Sequence, residues 1–335
     1  MEKRIRLLAV VLGVQLLFAL AVWTGGGNLS AKTDNSPLLA LNGNSIDRIT
    51  IDGADQTKVT IAKAQGVWKL PDSDNFPADS GKVEQLLTRL KEFKQGAPVA
   101  NSEEARKRFK VSNKAFERRI TLAEGTKTLA TLLVGTPAGR ESHVREAGDK
   151  TIHLVQFNAY DAPAKADDWE DKTVLQIPKD EIVAVEANGL ELERAPKTDQ
   201  SVSKKPDNGT VAASAPVWQT GGSTSGRLKA AAADKLAKML AELRIGSVLG
   251  KADQPGYGLK APKLTLSVTR KSGERLTYRL GKMPDKEDYV LKVSGRDEYF
   301  ELPTYTAEPL IKAAKPDMLF SRTAMAKSGV SSSKK

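Results

Sequence analysis

The sequence predicts an α+β fold made of a duplicated module, with antiparallel sheet strands and one main helix per copy, preceded by one transmembrane helix. Three observations predict it. Val67-Trp68 and Val217-Trp218 each end a run of alternating residues and precede a polar loop and a leucine-striped helix. The segments that follow repeat in the same order about 150 residues later, which is the mark of an internal duplication. Finally, an uncharged stretch, Leu7–Trp23, stands behind the basic residues Lys3, Arg4 and Arg6.

The N-terminal stretch comes first. Its 17 residues at ~1.5 Å each reach about 26 Å, at the short end for a bilayer. Trp23 falls where an interfacial aromatic belongs, and Gly25–Gly27 break the helix. The positive-inside rule then places the start in the cytoplasm and the bulk of the chain in the periplasm. A cleaved signal peptide with Leu29-Ser30-Ala31 as an imperfect cleavage site, and a buried core helix, are the rival readings.

In the first copy, Ile46–Ile51 and Thr57–Ile61 alternate around a turn at Gly53–Asp55, and Gln65-Gly66 turns into Val67–Leu70. Val83, Leu86, Leu87, Leu90 and Phe93 give the stripe of a helix with one buried face, stopped by Gly96 and Pro98. In the second copy, Glu181–Glu186 and Leu190–Glu193 alternate around Asn188-Gly189, and Leu236, Met239, Leu240 and Leu243 make the helical stripe. Each copy then runs through a meander of four strands. Thr131–Gly135 matches Thr277–Gly281, Ser142–Val144 matches Asp288–Val290, and His153–Val155 matches Phe300–Leu302. Trp68 and Trp218 are the equivalent anchors that pack each helix on its sheet. Short helices over 160–169 and 304–314 close the copies. The expected organisation is a cytoplasmic start (1–6), an anchor (7–23), a linker (24–40), a first repeat (41–176), a second repeat (177–322) with a flexible insertion (195–216), and a disordered tail (323–335).

Composition limits the chemistry. The 335 residues are 40% hydrophobic and 28% charged, which suits a folded body. Cysteine is absent, so disulfides, thiolate metal sites and cysteine nucleophiles are excluded. Only His143 and His153 are present, too few for a multi-histidine metal site, and they match Tyr289 and Phe300 of the second copy, which implies packing. Gly221–Leu228 has the glycine spacing of a phosphate loop but Arg227-Leu228 where Lys-Ser/Thr is needed. Asp167-Asp168 and Glu170-Asp171 around Trp169 read as a solvated loop. No catalytic, cofactor or metal residues emerge, and the protein is expected not to be an enzyme.

The net charge is +11; residues 1–6 supply +2 and the rest +9. Arg106, Lys107, Arg108, Lys110, Lys114, Arg118 and Arg119 form the densest basic stretch, a candidate contact for an anionic surface. No nucleic acid is expected, since no recognised module accompanies it.

The repeated order of strand pair, Trp strand, Leu-rich helix, glycine-punctuated meander and the closing Asp168–Leu175 (DWEDKTVL) resembles the bacterial domain of unknown function 4340 family, over roughly residues 40–320. The resemblance implies a single-pass inner-membrane protein, held in the lipid bilayer through residues 7–23. It also implies partnership with ABC transporter components of the gliding-motility auxiliary type, with no catalytic residues to carry over. The expected function is thus a periplasm-facing accessory or scaffold protein. The alternative is a periplasmic module that binds an anionic cell-envelope polymer or lipid.

Overall fold

Alternating burial is the rule along this chain, and it produces sheet rather than helix. A computed structural model describes residues 12–15, 34–41, 45–195, 218–221, 227–284 and 286–321. In chain order the strands of the first half are β1 (Asp34–Pro37), β2 (Arg48–Gly53), β3 (Lys58–Ala64), β4 (Val67–Leu70), β5 (Phe76–Pro77), β6 (Lys94–Gly96), β7 (Arg118–Glu124), β8 (Lys127–Ala138), β9 (Glu141–Glu146) and β10 (His153–Val155). Those of the second half are β11 (Ile182–Ala187), β12 (Leu190–Arg194), β13 (Trp218–Thr220), β14 (Arg227–Leu228), β15 (Ser247–Val248), β16 (Leu264–Arg270), β17 (Arg275–Lys282), β18 (Tyr289–Val293), β19 (Tyr299–Leu302) and β20 (Phe320–Ser321).

Two units divide the chain: Met1–Gly66 with Gly81–Lys165, and Val67–Ser80 with Ala166–Lys335. In the first, antiparallel strands run in the order β10-β9-β8-β7-β2-β3. Ile49 and Ile51 of β2 stand opposite Ile61 and Val59 of β3 on one side and Leu122 and Ile120 of β7 on the other. All six are buried. The helix Ser80–Glu92 turns Val83, Leu86, Leu87 and Leu90 inward. A shorter helix, Glu103–Arg108, starts where the Ser102 hydroxyl accepts the Ala105 N–H at 3.1 Å.

In the second unit the sheet order is β13-β12-β11-β16-β17-β18-β19-β15, again antiparallel. The helix Ala230–Ala241 packs Ala233, Leu236, Ala237 and Leu240 into a core that also holds Trp218 and Phe300. The β4–β5 hairpin belongs to this unit. Its Phe76 lies in the same core, 6.3 Å from the Phe300 ring. Residues 169–172 stitch that hairpin in place: Asp79 N–H donates to Trp169 O (2.8 Å), and Asp171 N–H to Pro77 O (2.9 Å).

The expected fold class needs correction. The architecture is mostly antiparallel sheet with few helices. The strands before and after each main helix lie in one sheet, because β2 pairs with β7 and β11 with β16. A strand whose apolar residues alternate cannot leave an edge open beside a second such strand without losing ladder hydrogen bonds, so the two join. The expected transmembrane helix is not supported: among the described residues no helix is long and apolar enough to cross a membrane. The longest, Ser80–Glu92, buries a single stripe. Residues 7–23 lie outside the described residues except for 12–15, as do the insertion after Ala195, most of the linker and the tail.

The two sheets share an order: β10-β9-β8-β7-β2-β3 reads against β19-β18-β17-β16-β11-β12. Gly135 and Gly281 mark the register. A Cβ at Gly135 would run into the Phe109 carbonyl oxygen, and one at Gly281 into the Tyr257 carbonyl oxygen, so each strand lets a crossing loop approach closely. Counting from these glycines, Val134↔Val144 answers Leu280↔Leu291. His153 therefore corresponds to Phe300, as expected, but His143 corresponds to Val290 and not to Tyr289. The register shift between Val134 and Pro137 displaces the sequence match by one residue.

Candidate docking surface

The seven residues of the basic stretch do not act as one patch. Arg106 pairs with Glu103 at 2.5 Å and also donates to Asn101 O; its guanidinium holds the Glu103 carboxyl below the ordinary carboxylate range. Lys110 pairs with Glu117 at 2.6 Å. Arg118 donates to Ala162 O and Glu117 O, and Arg119 to Asn113 O while its guanidinium lies 4.2 Å over the Phe116 ring. Lys107, Arg108 and Lys114 are exposed and form no ion pair among the described residues. The remaining charge is thus smaller than the sequence density implies.

Both tryptophan anchors are core residues, Trp68 at 2% and Trp218 at 3% exposure. The Arg194 guanidinium lies 5.4 Å from the Trp218 ring. His153 is buried with neither ring nitrogen hydrogen-bonded among the described residues. His143 stacks on Phe109 at 4.0 Å, and its Nδ1 donates to Thr136 O at 2.8 Å.

The acidic run around Trp169 is solvated only in part: Asp167 and Asp168 are exposed, and Glu170 is not. Glu170 is buried, accepting from Lys172 Nζ at 2.6 Å and the Val248 N–H at 3.2 Å; burial pushes its carboxyl up, and Lys172 opposes this. Asp171 accepts from the Thr173 N–H and hydroxyl. Among the described residues no group of His, Asp and Glu is arranged to hold a metal ion.

Sequence reasoning missed two features. One is Arg145, a buried cation on β9. Its Nε donates to Val111 O (2.7 Å), Nη1 to the carbonyls of Glu146, Ala147 and Asp149 (3.0, 3.0 and 2.6 Å), and Nη2 to Asn113 Oδ1 (2.8 Å). In the second sheet Lys292 stands at the corresponding register, and its ammonium caps the carbonyls of Arg296, Asp297 and Glu298.

The other is a groove of about 1340 Å³ in the second unit, at the helix Thr304–Ala313 and the turn Pro316–Leu319. Helical spacing builds it. Ala307, Leu310 and Ala314 face the core, which leaves Tyr305, Glu308, Pro309 and Lys312 facing out. Tyr305 is 81% exposed and Met318 39%. Pro309 has no N–H for the carbonyl of Tyr305, so that acceptor is free of its helical partner. Asp288 accepts the Thr304 N–H at 3.0 Å and fixes the helix start. The rim carries Lys235, Lys312 and Lys315 along with Glu287, Glu308 and Asp317. The sequence signal was a tyrosine standing off the buried stripe of its helix.

No curated protein and no solved structure matches this chain. The family described as a domain of unknown function (DUF4340) matches residues 68–262. That span takes in the β4–β5 hairpin, most of the first sheet and the second sheet as far as the loop before β16, more than half of the whole, and the chain belongs to the DUF4340 family.

Proposed function

We propose that this chain is a non-enzymatic accessory protein that holds a protein partner, with a polypeptide segment of that partner seated in the groove beside Tyr305. The observation that carries the reading is the groove: an apolar floor, a tyrosine exposed at 81%, and both signs of charge on its rim. Tyrosine and methionine are enriched in interface cores, and an exposed ring beside an apolar cleft marks contact surface. The mixed rim complements a segment that carries an apolar side chain between an acid and a base. It complements a uniformly anionic polymer poorly.

Association with an ABC-type transport system of the gliding-motility auxiliary kind is supported by the family resemblance. A periplasmic location is supported by the basic start and uncharged stretch of residues 1–23. The reading of one module used twice is supported by the common strand order, the paired glycines and the paired cations Arg145 and Lys292.

The test is a crosslinked pull-down of the full-length protein from its host, with a Tyr305→Ser variant alongside. Recovery of an ABC permease or ATPase by the parent, and its loss with Tyr305→Ser, is expected. Recovery of no transporter component contradicts the association.

One observation favours a second reading, binding of an anionic envelope polymer or lipid: Lys107, Arg108 and Lys114 lack ion pairs among the described residues. That binding falls steeply with salt. Envelope binding unchanged by Lys/Arg-to-Ser changes at these three positions excludes it.

A further inference from the structure

The outward side of the helix Thr304–Ala313 carries charges that its own fold leaves open. Glu308 and Lys312 stand four residues apart, about 6 Å along the axis, with the acid first, the order that favours an ion pair within one helix. At the end of the other main helix of this unit such a pair closes, Lys238 with Glu242 at 3.8 Å. Glu308 and Lys312 do not meet, and neither has another ion-pair partner among the described residues. Glu308 takes the Tyr289 hydroxyl, one of about four hydrogen bonds a carboxylate can accept.

The rest of the groove shows the same balance. Lys235 and Lys315 stand with Glu287 and Asp317, none of them ion-paired among the described residues, while Asp288 is engaged by the Thr304 N–H. The whole chain carries +11, so contact between copies is opposed over the surface as a whole but not at this patch. The patch also holds both halves of an apolar contact. Tyr305 stands out of the surface at 81% exposure, and Met318 lines the same groove. A surface that carries a knob, a groove and both signs of charge is self-complementary, which is what a two-fold interface requires.

We infer that two copies of this chain pair through this face about a two-fold axis at the level of Leu310, with the helices Thr304–Ala313 antiparallel. Residues equally far on either side of the axis then meet. Glu308 of each copy faces Lys312 of the other, so both open charges are paired twice. Tyr305 of each copy enters the groove of the other near Lys315, where its ring covers an ammonium. The inference rests on the reading of this groove as a docking surface: the second copy covers it when the proposed partner is absent, and that partner's segment displaces it.

The chain has no cysteine, so one introduced thiol reports the pairing. Pro309 is exposed on the outward side. The experiment is treatment of the purified full-length Pro309→Cys protein with a short bismaleimide, read as a crosslinked dimer on a denaturing gel, with Lys107→Cys as the collision control. A dimer from position 309 and none from position 107 is expected. On the Pro309→Cys background, Glu308→Lys or Lys312→Glu alone sets like charges against each other at both ends of the contact, and should lower the crosslinked yield about tenfold. Glu308→Lys combined with Lys312→Glu restores both pairs and should return the yield. No dimer from position 309, an equal dimer from position 107, a yield indifferent to the single reversals, or a double reversal no better than the singles would each overturn the inference. Failure to recover a transporter component leaves these outcomes untouched, and a monomeric protein leaves the pull-down untouched, so the two readings fail separately.

Discussion

Replacing Arg145 with methionine should destabilise the first unit by about 3 kcal/mol. Arg145 is 4% exposed and has no carboxylate partner among the described residues; its charge is held by four backbone carbonyls and the Asn113 amide oxygen. Methionine keeps the stem and removes every donor. The carbonyls of Ala147 and Asp149 lie on a turn where water can replace the guanidinium. Val111 is 0% exposed, and its carbonyl cannot be rehydrated without opening the small outer core around Leu133 and Ile152. One stranded buried acceptor costs ~1–3 kcal/mol, and severing the tie between Val111, Asn113 and the 146–149 turn adds to it. Relief from burying a charge offsets part of the total. Lys292→Met is the internal control. Its three carbonyls belong to the half-exposed turn 296–298, so its cost should be near 1 kcal/mol. Native-state hydrogen exchange on the full chain reads each unit separately. A cost below about 1 kcal/mol for Arg145→Met, or equal costs for both variants, would refute the reasoning.

Three more outcomes are expected. His153→Phe should leave the first unit as stable or stabilise it by about 1 kcal/mol, since it removes two unpaired buried nitrogens and installs the residue found at the matching position, Phe300; urea unfolding checks it. Phe76→Ala should cost about 3–5 kcal/mol, and the loss of exchange protection should appear in 182–302, because Phe76 packs in the second core. Glu170 has a folded pKa raised above its ordinary 4.5, so the native state binds the extra proton and the group's contribution is lost as pH rises through that window. The parent should therefore lose stability relative to Glu170→Gln between pH 4.5 and the higher folded value, and a pH-independent difference between the two would contradict this.

Local patterns in the sequence carried the local structure. The alternation at Ile49, Ile51, Val59 and Ile61 and the stripe at Val83, Leu86, Leu87 and Leu90 point inward as their periods dictate. Trp218 shares a core with the helix Ala230–Ala241. What the sequence hid depends on partners distant along the chain. Pairing of β2 with β7 joins the strands before the helix to the meander after it, and nothing within either strand announces its neighbour. Arg145 follows Val144 on β9, where a charge reads as outward; it is buried on the far side of a strand covered on both faces, because the residues after Glu103–Arg108 fold across it. Glu170 lies in a run of acids that reads as solvated, and is buried by β15, some 78 residues on. The basic stretch looked uniform because charge density along a chain does not reveal which cations meet a carboxylate. The groove was hidden although its helix was expected, because its walls come from residues distant along the chain, among them Lys235 and Glu287.

The most direct test of partner docking is a photo-crosslinking amino acid placed at Tyr305 in the full-length protein in its host, compared with the same probe at Lys107. One discrete protein adduct from position 305, a transporter component by mass spectrometry, and none from position 107, is expected. Adducts confined to position 107, or lipid and envelope material at both, would contradict it.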